Sequence, residues 1–111
     1  MKRVFIVEDD PGHVYIRRKY LNKISDFVPV LEFANGQEAI DELFQIKDNE
    51  QLLPDIILLD INMPLMNGWQ FLELFEKMDF KKRPTVYILS SLIRKKDKVK
   101  AESFKSVENI S

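Results

Sequence analysis

Short runs of β-branched and aromatic residues alternate with segments of helical periodicity along the 111-residue chain. The clearest runs span residues 4–7, 28–33, 56–59 and 86–89, and residues 107–110 are a candidate fifth. Three of these runs are continuously apolar, which is typical of strands that helices cover on both faces. The alternating order therefore predicts a parallel sheet with right-handed crossovers.

Each of the first three predicted helices begins at a recognisable signal. Asp10-Pro11 reads as an N-cap followed by proline at the first helical position. Asn35-Gly36 precedes the second helix and Asn67-Gly68 the third, and a mostly polar fourth helix is expected at about 96–104. The helical spacing places four apolar residues on the buried face of the second helix: Ala39, Ile40, Leu43 and Phe44.

Length and composition exclude several classes of protein. A closed α/β barrel needs about twice this length, so we predict one domain, residues 1–111, with an open doubly wound α/β sheet. The chain is 45% hydrophobic and 32% charged, with net charge −1 and no cysteine, which excludes disulfide scaffolds and thiolate metal sites. No bulk charge attracts nucleic acid or an anionic membrane. Neither a spanning helix of ~20 residues nor a signal peptide is evident, so we expect a cytoplasmic protein.

Acidic residues follow two of the predicted strands. Glu8, Asp9 and Asp10 follow the first strand, and Asp60 follows the third. In open parallel sheets, ligands bind beyond the carboxyl ends of the strands at a topological switch point. Carboxylates gathered there repel one another unless a cation neutralises them, and an all-oxygen cluster favours Mg²⁺ over Zn²⁺. Asp10 is expected to act only as a helix cap.

Asp60 is the candidate reactive group. A buried strand delivers its carboxylate to the surface beside the other acids, and an aspartate can accept a phosphoryl group as an acyl phosphate. Phosphoryl transfer requires in-line positioning and charge neutralisation more than an elaborate base. A metal ion and a few small donors around Asp60 are sufficient for this chemistry.

Three motifs resemble those of two-component response-regulator receiver domains. Residues 60–68, Asp-Ile-Asn-Met-Pro-Leu-Met-Asn-Gly, resemble the phosphoacceptor signature, and residues 7–11 resemble the acidic pair after the first strand. Residues 86–91 resemble the fourth strand with its switch hydroxyl. The similarity runs from residue 3 to about residue 107, nearly the whole chain. It implies a flavodoxin-like receiver fold with strand order 2-1-3-4-5, of the stand-alone, chemotaxis-type single-domain kind.

The resemblance implies a role for each residue of the acidic site. Asp60 is expected to be the phosphorylation site, and Asp9 and Asp60 to ligate Mg²⁺ directly. Glu8 is expected to act through a bound water, and Asn62 to supply its backbone carbonyl to the ion. The side chain of Asn62 also lies at a position where the family tunes phosphoryl lifetime.

Three further positions take roles from the same resemblance. Ser90 is expected to act as the switch residue by hydrogen-bonding a phosphoryl oxygen. Pro64 is expected to shape the loop after Asp60, and Gly68 to permit the turn into the third helix by adopting a positive φ.

Receiver domains place a lysine, usually followed by proline, at the end of strand five. The chain reaches Ile110-Ser111 about where this lysine is expected, and Lys105 precedes the strand. A sheet without the fifth helix leaves apolar surface uncovered, which is costly. We therefore expect that the C-terminal end, with the family lysine and the fifth helix, is missing from this chain; a domain that truly lacks them, and is defective, is the alternative.

Two features outside the acidic site carry alternative interpretations. His13 is the single histidine; a metal ligand or phosphocarrier is conceivable, but its place at the helix start favours a partly buried packing residue. The basic stretch at 94–100 is expected to be a solvated helix face, with recognition of an acidic partner as the alternative. The sequence carries no recognition helix or aromatic platform for nucleic acid.

The leading hypothesis is a bacterial receiver that takes a phosphoryl group from a sensor histidine kinase or histidine phosphotransfer protein. It would then change its affinity for an unknown downstream protein, and would catalyse only its own aspartyl phosphorylation and dephosphorylation rather than act as an enzyme. A phosphorylation-independent binding module on the same fold is the first alternative. An aspartyl-nucleophile phosphatase is the weaker alternative, because that class requires a second aspartate where Asn62 stands.

Overall fold

Strands and helices alternate along the chain, as the periodicity predicts. The computed structural model describes residues 2–23, 27–63, 65–89, 99–100, 102–104 and 107–110. The elements are β1 (Lys2–Val7), α1 (Pro11–Asn22), β2 (Phe27–Phe33), α2 (Gly36–Ile46), β3 (Ile56–Asp60), α3 (Gly68–Lys77), β4 (Thr85–Leu89) and β5 (Val107–Ile110). The strands form one parallel sheet in the order β2-β1-β3-β4-β5. The predicted α/β fold and strand order are confirmed.

The sheet is covered on both faces at β1. Val4 and Ile6 are fully buried on one face, where Val14 of α1 packs against them. Phe5 and Val7 are buried on the opposite face, in a core cluster that includes residues of α2 and α3. Successive side chains of a strand point to opposite faces, so this continuously apolar strand is explained by helices on both sides.

Helices α2 and α3 begin where the sequence signals predict. The side chain of Asn35 accepts a hydrogen bond from the backbone N–H of Glu38, and Asn67 forms a capping box with Gln70. The two helices bury seven apolar side chains: Ala39, Ile40, Leu43 and Ile46 from α2, and Phe71, Leu72 and Phe75 from α3. Phe44 is 64% exposed, so its expected place on the buried face is wrong, and Ile46 extends that face instead.

The predicted fourth helix is described only in part. Residues 99, 100 and 102 are helical, whereas residues 96–98 and 101 lie outside the described residues. Phe104 stacks on Trp69 of α3 with 6.2 Å between ring centroids. The Nζ atom of Lys100 lies 4.9 Å from the centroid of the Trp69 ring. Trp69, at the start of α3, therefore packs against Lys100 and Phe104, which precede β5.

The strand order determines where the acidic residues meet. β1 lies between β2 and β3, and Val7 pairs in register with Leu59. Glu8 and Asp60 directly follow this pair, so both lie at the carboxyl edge of the sheet. The helix after β1 packs on one face of the sheet and the helix after β3 on the other. This divergence opens the crevice of a topological switch point.

Candidate functional site

The carboxyl end of β1 presents three acids in three different environments. Glu8 is only 5% exposed, and its backbone N–H donates to the carbonyl oxygen of Phe33 at 2.9 Å. Asp9 and Asp10 are exposed. Asp10 Oδ1 accepts from the backbone N–H of Gly12 at 2.8 Å, which is the geometry of an N-cap at the start of α1. The prediction that Asp10 caps the helix is confirmed.

Asp60 lies at the end of β3 and is half-buried. Its Oδ1 accepts a long hydrogen bond, 3.4 Å, from the backbone N–H of Asn62. One carboxylate oxygen from each of Glu8, Asp9 and Asp60 lies within 4.8 Å of the other two. The structure therefore brings together the three acidic side chains that the sequence assigned to one site, and leaves the side chain of Asn62 exposed beside them.

The environment of this cluster favours protonated carboxyl groups. Burial, together with the nearby charge of Asp60, raises the pKa of Glu8 to about 7. Burial also raises the pKa of Asp60, with a further contribution from the charge of Asp9. Such shifts measure the cost of holding several negative charges in a partly dehydrated crevice. A divalent cation bound among the three oxygens would remove that cost.

The loop between β3 and α3 holds Asp60 in place through a close backbone contact. The N–H of Gly68 donates to the carbonyl oxygen of Ile61 at 2.8 Å. A Cβ atom on Gly68 would lie 2.7 Å from Cα of Ile61 and 2.8 Å from the carbonyl oxygen of Asp60. Gly68 does not have a positive φ, so the reason expected for this glycine is wrong. It is the close approach of two backbone segments that requires a glycine.

A positive φ occurs elsewhere in the same loop. Among the non-glycine residues that the structure describes, Leu65 is the one with positive φ, at 65°, and its side chain is 85% exposed. Pro64, expected to shape this loop, lies outside the described residues. So does Ser90, the expected switch residue, because the description of β4 ends at Leu89.

His13 does not have the environment expected from the sequence. Its side chain is 53% exposed rather than packed, and its Nδ1 lies 3.6 Å from Oε1 of Glu8. The sequence spacing indicates why His13 is close to Glu8. His13 is three positions after the N-cap Asp10 and therefore lies in the first turn of α1, which begins beside the end of β1.

An open cavity lies beside the carboxylates. Its volume is about 460 Å³, and α1, the end of β1 and the end of β2 line it. Glu8 and Asp9 form its wall next to the site, while Tyr15 and Arg18 line it from α1. Arg18 is paired with Glu32 of β2 across this cavity. The cavity therefore reaches Glu8 and Asp9 from the α1 side, and Asp60 is not part of its lining.

Residues 4–111 match the family model of the response regulator receiver domain. The match covers nearly the whole chain, and the chain belongs to this family. A curated relative is the protein-glutamate methylesterase/protein-glutamine glutaminase of Treponema denticola, 37% identical over 97 residues, which are 87% of this chain and 24% of that protein. Another is the probable C4-dicarboxylate response regulator of Halalkalibacterium halodurans, 39% identical over 71 residues, 64% of this chain and 28% of that protein. The chain spans about a quarter of the length of these relatives.

Solved receiver domains have the same architecture. The response regulator domain of Thermotoga maritima CheB aligns with a TM-score of 0.81 at 25% identity, covering 100% of this chain and 77% of that chain. A two-component response regulator from Legionella pneumophila aligns with a TM-score of 0.81 at 27% identity, covering 99% of this chain and 84% of that one. Within the described ranges, none of the helices combines the length and apolar character needed to cross a membrane.

Proposed function

We propose that Asp60 accepts a phosphoryl group from the phosphohistidine of a sensor histidine kinase or histidine phosphotransfer protein. A carboxylate oxygen of Asp60 forms the new bond to phosphorus as the phosphorus–nitrogen bond of the donor breaks, and the released imidazole takes up a proton. Water later attacks the phosphorus and releases inorganic phosphate. The protein thus catalyses only its own phosphorylation and dephosphorylation, and signals by changing its affinity for a downstream protein.

One observation carries this proposal: the strand-delivered carboxylate of Asp60 lies within 4.8 Å of oxygens from Glu8 and Asp9. Membership of the receiver family supports the assignment, because residues 60–68 resemble the phosphoacceptor signature of that family. The N–H of Asn62 is directed at Oδ1 of Asp60 and can hold this carboxylate in place.

The donor set fits Mg²⁺. The three carboxylates and the backbone carbonyl of Asn62 would all be oxygen ligands, which Mg²⁺ prefers while it keeps several waters. Asp9 and Asp60 would hold the ion directly, Asn62 through its backbone carbonyl, and the buried Glu8 through a water. When bound, Mg²⁺ would neutralise charge on the carboxylates and on the phosphoryl oxygens.

Phosphorylation should depend on Asp60. After incubation with acetyl phosphate and Mg²⁺, the parent protein should gain the mass of one phosphoryl group, and Asp60→Asn should gain none. Intact-mass spectrometry measures both, with a chelator-treated parent as the metal-free control.

Labelling of Asp60→Asn to the parent level would overturn the assignment. Failure of the parent to label, while it still binds a partner, would favour the phosphorylation-independent binding module instead.

Asp9 and Asp10 should differ in their effect on Mg²⁺ binding. Asp9→Asn removes a direct ligand and should weaken Mg²⁺ affinity, whereas Asp10→Asn should not, because Asp10 faces the helix N-terminus. Asp10→Ala should instead lower the free energy of unfolding by about 1 kcal/mol through loss of the cap. Isothermal titration calorimetry with Mg²⁺ and urea unfolding measure the two effects. Equal Mg²⁺ affinities in Asp9→Asn and Asp10→Asn would contradict the assignment of Asp9 as a direct ligand.

Ser90 is proposed as the switch that reads the phosphoryl group. The modification adds nearly two negative charges and three acceptor oxygens at the sheet edge, and a serine hydroxyl after β4 can bond to one of them. Ser90→Ala should still be phosphorylated at Asp60 but should lose the response of residues 90–105. Amide hydrogen exchange with and without beryllofluoride tests this. Identical beryllofluoride-induced changes in the parent and in Ser90→Ala would contradict the switch and leave the phosphoacceptor assignment intact.

We also propose that the protein is cytoplasmic and of bacterial origin. Both relatives named above are bacterial proteins, which supports the origin. The kinase and the downstream partner are proposed by class alone.

A further inference from the structure

The loop between β3 and α3, residues 61–67, is held by backbone hydrogen bonds at both of its ends. The N–H of Gly68 donates to the carbonyl oxygen of Ile61 at 2.8 Å. The N–H of Gly36, the first residue of α2, donates to the carbonyl oxygen of Met66 at 3.3 Å. A Cβ atom on Gly36 would lie 2.9 Å from this oxygen and 3.1 Å from Cγ of Met66. Any larger residue at the start of α2 would therefore have to displace Met66.

The residue before this contact has a strained backbone. Leu65 has a φ of 65°, a conformation that glycine and asparagine adopt readily and leucine does not, because its Cβ crowds the backbone. The side chain of Leu65 is 85% exposed, so burial of the leucine does not offset the cost. A strained residue persists only where the surrounding structure imposes its conformation. The nearest such restraint is the hydrogen bond from Gly36 to the next carbonyl in the chain.

We propose that the Gly36–Met66 contact holds this loop in its strained conformation, and that Leu65 relaxes to a negative φ when the contact opens. The loop then has two conformations, and the position of the start of α2 determines which of them is populated. The consequence for the acidic site rests on the proposed function. The loop carries Asn62, whose N–H reaches Oδ1 of Asp60, so a molecule that displaces the start of α2 changes how Asp60 is held.

The proposal predicts an energetic coupling between positions 36 and 65. While the contact is intact, replacement of Leu65 by asparagine removes the cost of the strained backbone, because asparagine tolerates a positive φ. Once the contact is broken, leucine can relax by itself, and the same replacement gains little. A double-mutant cycle measures this kind of non-additivity.

The test is urea unfolding of the parent, Leu65→Asn, Gly36→Ala and the double variant. In the parent, Leu65→Asn should lower the equilibrium constant for unfolding about 3- to 10-fold. In the Gly36→Ala background, where the methyl group displaces the carbonyl of Met66, the same change should have less than about a twofold effect. Leu52→Asn is the matched control and should give no gain, because Leu52 is also exposed, at 44%, and has no positive φ.

Hydrogen exchange of the Gly36 amide provides a second measurement, which does not require Gly36→Ala to fold. Opening of the Gly36–Met66 contact relieves strain in the parent but not in Leu65→Asn. Protection of this amide should therefore rise about 3- to 10-fold in Leu65→Asn.

Three results would overturn the proposal. They are an equal gain from Leu65→Asn in both backgrounds, no gain in the parent, and unchanged protection of the Gly36 amide in Leu65→Asn. No phosphodonor is used in either measurement, so the outcome does not depend on whether Asp60 accepts a phosphoryl group.

Discussion

Glu8→Gln is expected to make the metal-free protein more stable at pH 8, by up to about 3 kcal/mol in the free energy of unfolding. In the parent, burial and the charge of Asp60 raise the pKa of Glu8 from 4.5 to about 7. The folded state therefore binds this proton more tightly than the unfolded state. The resulting stability is fully present below pH 4.5 and is lost as the pH rises through about 7.

The measurement is urea unfolding of chelator-treated protein between pH 5 and pH 8. The parent should lose stability across this interval, whereas Glu8→Gln should lose much less, because glutamine carries no charge there. Glu50→Gln, at an exposed glutamate in the turn after α2, is the matched control and should behave as the parent does. If the free energy of unfolding falls equally with pH in the parent and in Glu8→Gln, folding does not raise the pKa of Glu8.

Addition of Mg²⁺ extends the same measurement. An ion that binds only the folded state stabilises it by mass action, so Mg²⁺ should restore much of the parent's lost stability at pH 8. The gain should be smaller in Glu8→Gln, because the cluster then holds one negative charge fewer.

Gly68→Ala is expected to destabilise the protein by about 1–3 kcal/mol and to slow phosphorylation of Asp60. The added methyl group would lie 2.8 Å or less from two backbone atoms, Cα of Ile61 and the carbonyl oxygen of Asp60. Because both atoms belong to the backbone, they cannot move aside as the end of a flexible side chain can. The loop must shift, and Asp60 shifts with it.

Gly12→Ala is the matched control for this variant. Gly12 is also near a helix start, but its Cβ would meet only the side chain of Asp10, at 3.2 Å. Alanine there should be neutral or stabilising by up to about 1 kcal/mol. Urea unfolding and the rate of acetyl phosphate labelling compare the two variants. Equal stability of Gly68→Ala and Gly12→Ala would show that the two backbone segments are not in tight contact.

The fold was predictable because several independent signals in the sequence agree. Continuous apolar runs such as residues 56–59 require cover on both faces, and the caps at Asp10, Asn35 and Asn67 mark the helix starts. The buried face of α2 was less predictable. Phe44 fits the helical spacing as well as Ile46 does, and only the packing of α2 against its neighbours determines which one is buried.

The acidic site was predictable in its members and not in its details. Parallel topology brings the residues after β1 and β3 to one edge, so Glu8, Asp9 and Asp60 had to be close. Gly68 is required because its backbone lies close to that of Asp60 and Ile61, seven or eight positions earlier in the chain. A local sequence pattern does not predict a contact of this kind. The environment of His13 depends on the angle at which α1 leaves the sheet.

The location of the phosphoryl group tests the role of Asp60 most directly. Protein labelled with acetyl phosphate and Mg²⁺ is reduced with borohydride, which converts an aspartyl phosphate into homoserine, and is then digested with trypsin. The prediction is homoserine at position 60, within the peptide of residues 48–77. Homoserine in the peptide of residues 4–17, which holds Asp9 and Asp10, would contradict the assignment of Asp60 as the phosphoacceptor.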